Sequence, residues 1–215
     1  MRHGAGTGGL LAAVRWVGSS ALVLAVTVGW FLWFGPDSVA GTPIHERSDV
    51  MGVIHPDMVP AFKDGPPART TGGFGEESCV GCHFGADEND GVGRIEILGL
   101  PERYSPGGRY PLTILLTRPG MEVGGFQLAA RLADGETQAG AFHVVEDDQL
   151  RVGLMADRDV EFVHHTYEGV ELSAPDTARW SVTWLAPESL EPVHFHAAGV
   201  AADDDDSQVG DFVYT

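Results

Sequence analysis

Cys79-Val80-Gly81-Cys82-His83 places two thiols three positions apart with an imidazole directly after them. The spacing C-x-x-C-H suits two thioether bonds to haem vinyl groups and a histidine on the iron. These are the only 2 cysteines in the 215-residue chain. One motif predicts one covalent haem c, bound through Cys79 and Cys82, with His83 as the proximal iron ligand. Two other chemistries use C-x-x-C. A dithiol redox couple belongs where a strand meets a helix in a βαβ setting, whereas a Gly/Pro-rich approach, residues 64–78, leads into this motif. Structural zinc commonly takes two such pairs, or one pair with a spaced pair of histidines, and no second Cys pair exists.

A covalent haem needs a compartment and an element to carry it there. Residues 16–34 are nineteen residues without a charge, long enough as a helix rising about 1.5 Å per residue to cross a hydrocarbon core of about 30 Å. Trp16 at one end and Trp30 and Trp33 at the other fit the interfacial aromatic belts. Arg2 and Arg15 place the short N-terminus, residues 1–15, in the cytoplasm. The expectation is a single-pass inner-membrane protein with its bulk in the periplasm, the side on which haem c is attached in bacteria. The alternative is a signal peptide cleaved near Ala40, after the small-residue sequence Ser38-Val39-Ala40, which leaves a soluble periplasmic protein. The apolar run is longer than the usual signal-peptide core of about 7–15 residues, which favours a retained anchor.

Charge narrows the partners. The net charge is −18, and after residue 34 there are 11 basic against 31 acidic side chains. Such a surface repels nucleic acid and anionic lipid headgroups. It attracts a redox partner with a basic patch, and complementary charge speeds encounter.

Between anchor and motif, residues 35–70 form a Pro/Gly-rich linker, interrupted by Pro36, Pro43, Pro56, Pro60, Pro66 and Pro67. It reads as a tether or an extended wrap. His45, Met51, His55 and Met58 within it are chemically able to ligate iron, and no spacing selects among them. Residues 71–91 are the haem-binding segment. From residue 92 the pattern changes to short strand-like runs at 95–97, 110–116, 126–132, 149–154, 160–165, 179–185 and 193–197, separated by turn signals such as Ser105-Pro-Gly-Gly and Arg118-Pro-Gly. This predicts a mainly β chain whose residues 92–215 form an antiparallel β-sandwich. Trp180, Val182 and Trp184 share one strand face by the period-2 rule and are expected in its core.

In this order, Thr71-Gly-Gly-Phe-Gly-Glu before the C-x-x-C-H motif, Gly125-Phe-Gln-Leu, His165-Thr, Trp180-x-x-x-Trp-x-Ala-Pro187, Val193-x-Phe, Ala198-Gly and Gly210-Asp-Phe-Val-Tyr are short signatures. Together they resemble bacterial extracytoplasmic proteins that carry a c-type haem motif ahead of a reeler-like β-sandwich. The resemblance spans roughly residues 70–215. It implies an immunoglobulin-like sandwich and no single reaction, because the fold hosts unrelated functions. It also makes His165 the first candidate for the distal iron ligand, at the family's His-Thr position. Met155 and His164 are weaker distal candidates, with Met121 beside them.

Two further groups carry ligand chemistry. Asp203, Asp204, Asp205 and Asp206, with Asp211 nearby, offer enough carboxylate oxygens for a hard cation such as calcium. They lack the helix-loop-helix calcium spacing, and a block of like charges ordinarily faces water. His194 and His196 point to one side of their strand, opposite Val193 and Phe195, where they line a haem edge, bind a metal, or simply face solvent.

These readings converge on a membrane-anchored mono-haem cytochrome c that serves as an electron-transfer or accessory subunit of an integral-membrane respiratory or photosynthetic complex, with no catalytic residues required. One alternative is a structural interaction subunit with a structural or vestigial haem. Another is a haem-based gas sensor or enzyme with an open sixth position.

Overall fold

The computed structural model describes residues 62–215. The expected anchor at residues 16–34, the cleavage site near Ala40 and the linker as far as residue 61 lie outside these residues. No described helix is long and apolar enough to cross a membrane.

Alternation of branched and aromatic residues with polar ones generates the strands, and the apolar faces then bury one another. The described strands are β1 (Phe84–Gly85), β2 (Arg94–Leu98), β3 (Arg109–Thr117), β4 (Val123–Leu132), β5 (Ala141–Val144), β6 (Val152–Asp157), β7 (Val160–His165), β8 (Thr177–Leu185), β9 (Val193–Ala202) and β10 (Val209–Tyr214). They form a six-stranded sheet in the order β1-β10-β9-β4-β7-β6 and a four-stranded sheet in the order β2-β3-β8-β5. Pairing is antiparallel throughout except between β1 and β10, which run parallel.

The two sheets face each other across one apolar core. Leu112, Ile114, Leu116, Trp180, Val182 and Trp184 come from one sheet, and Phe126, Leu128, Ala130 and Val163 from the other. The two tryptophans and Val182 fill the expected core face, and each indole N–H is satisfied. Trp180 Nε1 donates to the Gly169 carbonyl at 2.8 Å and Trp184 Nε1 to the Ala139 carbonyl at 2.9 Å. Buried polar groups without such partners would cost roughly 1–3 kcal/mol each.

β4 departs from simple alternation, since every residue between its two ends is buried. The cause is a second layer. Residues 62–83 run over the outer face of the six-stranded sheet and cover Gln127, Ala129 and Arg131, so both faces of β4 are dry. The last residues of the expected linker, 62–70, therefore belong to this wrap.

Candidate haem site

Side chains of the sheet hold the wrap in place one after another. Thr70 N–H donates to Gln127 Oε1 at 2.8 Å, and Gln127 Nε2 donates to the Pro67 carbonyl at 2.8 Å. Glu76 Oε1 accepts from Arg69 Nη1 at 3.1 Å and from Arg131 Nη2, while Glu76 Oε2 accepts from Thr71 Oγ1 at 3.0 Å. The Arg131 side chain is 1% exposed, with its guanidinium 4.4 Å above the Phe74 ring. Arg69 also meets Asp157 at 2.5 Å, and this contact holds the Asp157 carboxyl below its ordinary range.

The clamped approach delivers the motif to the sheet as one tight turn. Cys79–Gly81 form a 3-10 turn whose N-terminus is capped by Ser78 Oγ accepting from Val80 N–H. Both Cys82 N–H and His83 N–H donate to the Cys79 carbonyl, at 3.1 and 3.0 Å. Residues three apart in such a turn lie one above the other, so the two thiols share a side. They are not joined as a disulfide. Cys79 packs with Ala198, Val200 and Val213 of β9 and β10, and burial pushes its thiol up to about 12.

His83 emerges from the turn beside β10. Its Nδ1 lies 2.5 Å from Asp211 Oδ2. With Nδ1–H donated to the carboxylate, the Nε2 lone pair is the free one, as in metal-ligating histidines oriented by a carboxylate.

A cavity of about 200 Å³ opens next to the motif, lined by Cys79, Cys82, His83 and, from the sheet, Phe126, His165 and Val200. Gly125 at its floor permits the arrangement, since a Cβ there would sit 2.8 Å from His165 Cε1. His165 is buried, and desolvation lowers its pKa, opposed in part by its backbone hydrogen bonds. It is therefore neutral at pH 7, the form a metal requires. Both ring nitrogens have partners: Nδ1 accepts from Phe126 N–H at 2.9 Å and Nε2 lies 3.1 Å from the Phe62 carbonyl. Iron ligation through Nε2 would give up the Phe62 bond and would require the ring proton on Nδ1, where the Phe126 carbonyl 3.2 Å away would accept it in place of the bond from Phe126 N–H.

The remaining sequence candidates are dispersed. His164, adjacent to His165, points to the outer face, where Gly65 and Gly153 lie against its ring, and its Nδ1 meets the His165 carbonyl at 2.7 Å. Met155 packs near Phe162 on that face, and Met121 lies in the core between the sheets. None of the three lines the cavity. Asp204 and Asp206 bind the Lys63 ammonium at 2.9 and 2.8 Å, and Asp205 accepts from Ser207 N–H at 2.7 Å. Asp203 is exposed, and Asp211 faces His83. Among the described residues, no three His, Cys, Asp or Glu side chains converge to hold a metal ion by themselves. His196 stacks edge-on against Phe74, with ring centroids 4.6 Å apart, and His194 is exposed beside it.

Sequence reasoning missed Asp211 as the partner of His83, and missed Gln127, Arg131 and Lys63 as fasteners of the wrap. Glu76 and Asp211 do stand inside quoted signatures, Thr71-Gly-Gly-Phe-Gly-Glu and Gly210-Asp-Phe-Val-Tyr, which is the signal that pointed towards them.

No family model matches the chain, and no curated protein matches it. Among solved structures, it is similar to the human F-spondin reeler domain, at 21% identity over 62% of this chain and 87% of that one, with a TM-score of 0.39. A Reelin-N domain of F-spondin is similar at 23% identity over 61% of this chain and 82% of that one, also at 0.39. A chain of a type I cohesin–dockerin complex from Clostridium thermocellum is similar at 13% identity over 57% of this chain and 97% of that one, with a TM-score of 0.35.

Proposed function

We propose that this chain is a mono-haem c-type cytochrome, anchored in the inner membrane by residues 16–34, that passes electrons within or to an integral-membrane respiratory or photosynthetic complex. One observation carries the reading: Cys79, Cys82, His83 and His165, which span 87 sequence positions, line a single cavity. The donor set fits haem c. Two thiols on one side of a turn suit two vinyl groups, His83 has its Nε2 free, and His165 is neutral and stands in the other wall. Haem held there supplies one-electron ferric/ferrous chemistry.

The protein's own part is to orient His83, to exclude water with Phe126 and Val200, and to limit how much of the group is enclosed. A cavity of about 200 Å³ is smaller than the ~300–1,000 Å³ that buries a whole small ligand. A flat macrocycle seated there would keep an edge at the surface, as transfer to a partner protein requires.

The test is an absorption spectrum of protein purified from membranes, oxidised and dithionite-reduced, with and without carbon monoxide, followed by denaturing extraction. A covalent low-spin haem that reduces reversibly and does not bind carbon monoxide is the expected result. Absence of covalent haem removes the proposal and leaves an anchored interaction domain. The hydrogen bonds at both nitrogens of His165 favour a second reading, a gas sensor or enzyme with an open sixth position, and this predicts a high-spin ferrous form that binds carbon monoxide.

A further inference from the structure

The Asp211 side chain is 1% exposed and sits on the outer face of β10, where its neighbour two residues on, Val213, packs into an apolar cluster with Cys79. Oδ2 meets His83 Nδ1 at 2.5 Å, whereas Oδ1 is buried with no partner among the described residues. A buried carboxylate with an unpaired oxygen is costly, and such groups in native proteins call for a reason. The sandwich core does not use it. Its one side-chain partner among the described residues is a histidine 128 residues away, and the backbone brings them together. β1 lies parallel to β10 with Phe84 opposite Val209 and Gly85 opposite Asp211, and Phe84 N–H donates to the Gln208 carbonyl at 2.6 Å. A Cβ at Gly85 would fall 2.1 Å from the Asp211 carbonyl oxygen, so only glycine lets His83 come this close.

We infer that Asp211 is a positioning residue that fixes the orientation and tautomer of His83 and, through a carboxylate hydrogen bond, makes it a stronger donor that favours ferric over ferrous iron. This rests on the haem reading above. The bond holds the proton on Nδ1 and leaves Nε2 as the lone-pair nitrogen of a ring that lines the cavity, and a carboxylate behind the ring raises the ligand's basicity. Greater donation stabilises the higher oxidation state, which lowers the reduction potential.

The experiment compares wild-type holoprotein with Asp211→Asn by potentiometric titration at the haem bands, with ferric electron paramagnetic resonance in parallel. Asn keeps an acceptor for His83 and removes the charge. The expected result is unchanged covalent haem content, shifted ferric g values, and a reduced-to-oxidised ratio at fixed potential raised at least tenfold, which for one electron is about 59 mV. Unchanged potential and g values with haem intact overturn the inference. If the Asn variant does not fold, the bond is read in wild-type protein by 15N-histidine NMR of the ferrous form, made diamagnetic with carbon monoxide where needed. A slowly exchanging His83 Nδ1 proton supports the inference, and its absence overturns it. Wild-type protein without covalent haem instead defeats the functional proposal itself.

Discussion

At the scale of single residues, the two cysteines occupy unlike surroundings. Cys79 is buried against β9 and β10, and Cys82 is partly exposed. Cys79 therefore anchors the turn to the sheet, and Cys82 can be changed with less structural cost. Cys82→Ser is expected to leave a haem held by one thioether, visible in the denatured, reduced pyridine complex as an α band moved to longer wavelength, because the unreacted vinyl stays conjugated with the ring. An unmoved band would show that Cys82 forms no bond.

His196 makes a second prediction at this scale. His196 is exposed along one side, and the partial desolvation it meets beside Phe74 comes first among the causes that lower its pKa, followed by His194 and Arg131, with Glu76 opposing them. The folded value lies below the unfolded one of about 6.5, so the unfolded chain binds more protons between the two. Stability is complete above about pH 6.5 and falls as pH drops through that window towards the folded value. Urea midpoints at pH 7.5 and 5.5 should differ more in wild type than in His196→Gln. Buried His165 contributes a slope of the same sign, which the substitution leaves in place.

At the scale of elements, the wrap is held by an ion cluster rather than by a ladder. Glu76 and Arg131 are 7% and 1% exposed, and Arg69, at 29%, completes the group. Removing one partner of a buried pair leaves an uncompensated charge, at a cost of about 3–5 kcal/mol. Glu76→Ala is expected to lower stability by that amount in urea unfolding. The double variant Glu76→Gln with Arg131→Met, which removes both buried charges, is expected to cost less. Equal losses would mean that packing of the wrap, and not charge compensation, fastens it. The core strands β3, β4, β7 and β8, and β9 as far as residue 197, are legible because their branched and aromatic residues recur at period 2; the Ala/Gly-rich second half of β9 and the whole of β10 (Val209–Tyr214) are not among the expected runs. β5 was missed because Ala141-Phe-His-Val is only four residues long with one fully buried side chain. β1 is two residues long, too short for any periodicity. The expected run at 149–154 forms a strand only from Val152, after a 3-10 turn at Glu146–Asp148.

At the scale of the molecule, charge sets the terms of encounter. The chain carries 31 acidic against 13 basic side chains, and Asp204, Asp205 and Asp206 stand at the cavity, two of them partly neutralised by Lys63. Attraction to a basic partner is screened over about 8 Å at 0.15 M ionic strength. Reduction of a basic redox protein by the ferrous form should therefore slow steeply as salt rises, while reaction with an acidic partner should start slow and quicken as salt screens the repulsion. Stopped-flow rates from low to physiological salt check both, and a rate independent of salt would argue for docking by apolar contact alone.

The sequence by itself determined what is local: the thiol and imidazole spacing of one turn, the period-2 faces that bury Trp180, Val182 and Trp184, and the apolar run and charge balance behind the expected topology. Only the tertiary structure decided what depends on distant strands. Asp211 was grouped with residues 203–206 because it lies near them along the chain, yet β10 presents it to His83, 128 residues away, while Lys63 takes up two of the other carboxylates. His164 and His165 are adjacent in sequence, and strand alternation together with the strand end separates them, so that only His165 reaches the cavity. Side-chain type and spacing specify what a group can do. The register of sheet pairing, set by the packing of the whole core, specifies which groups meet.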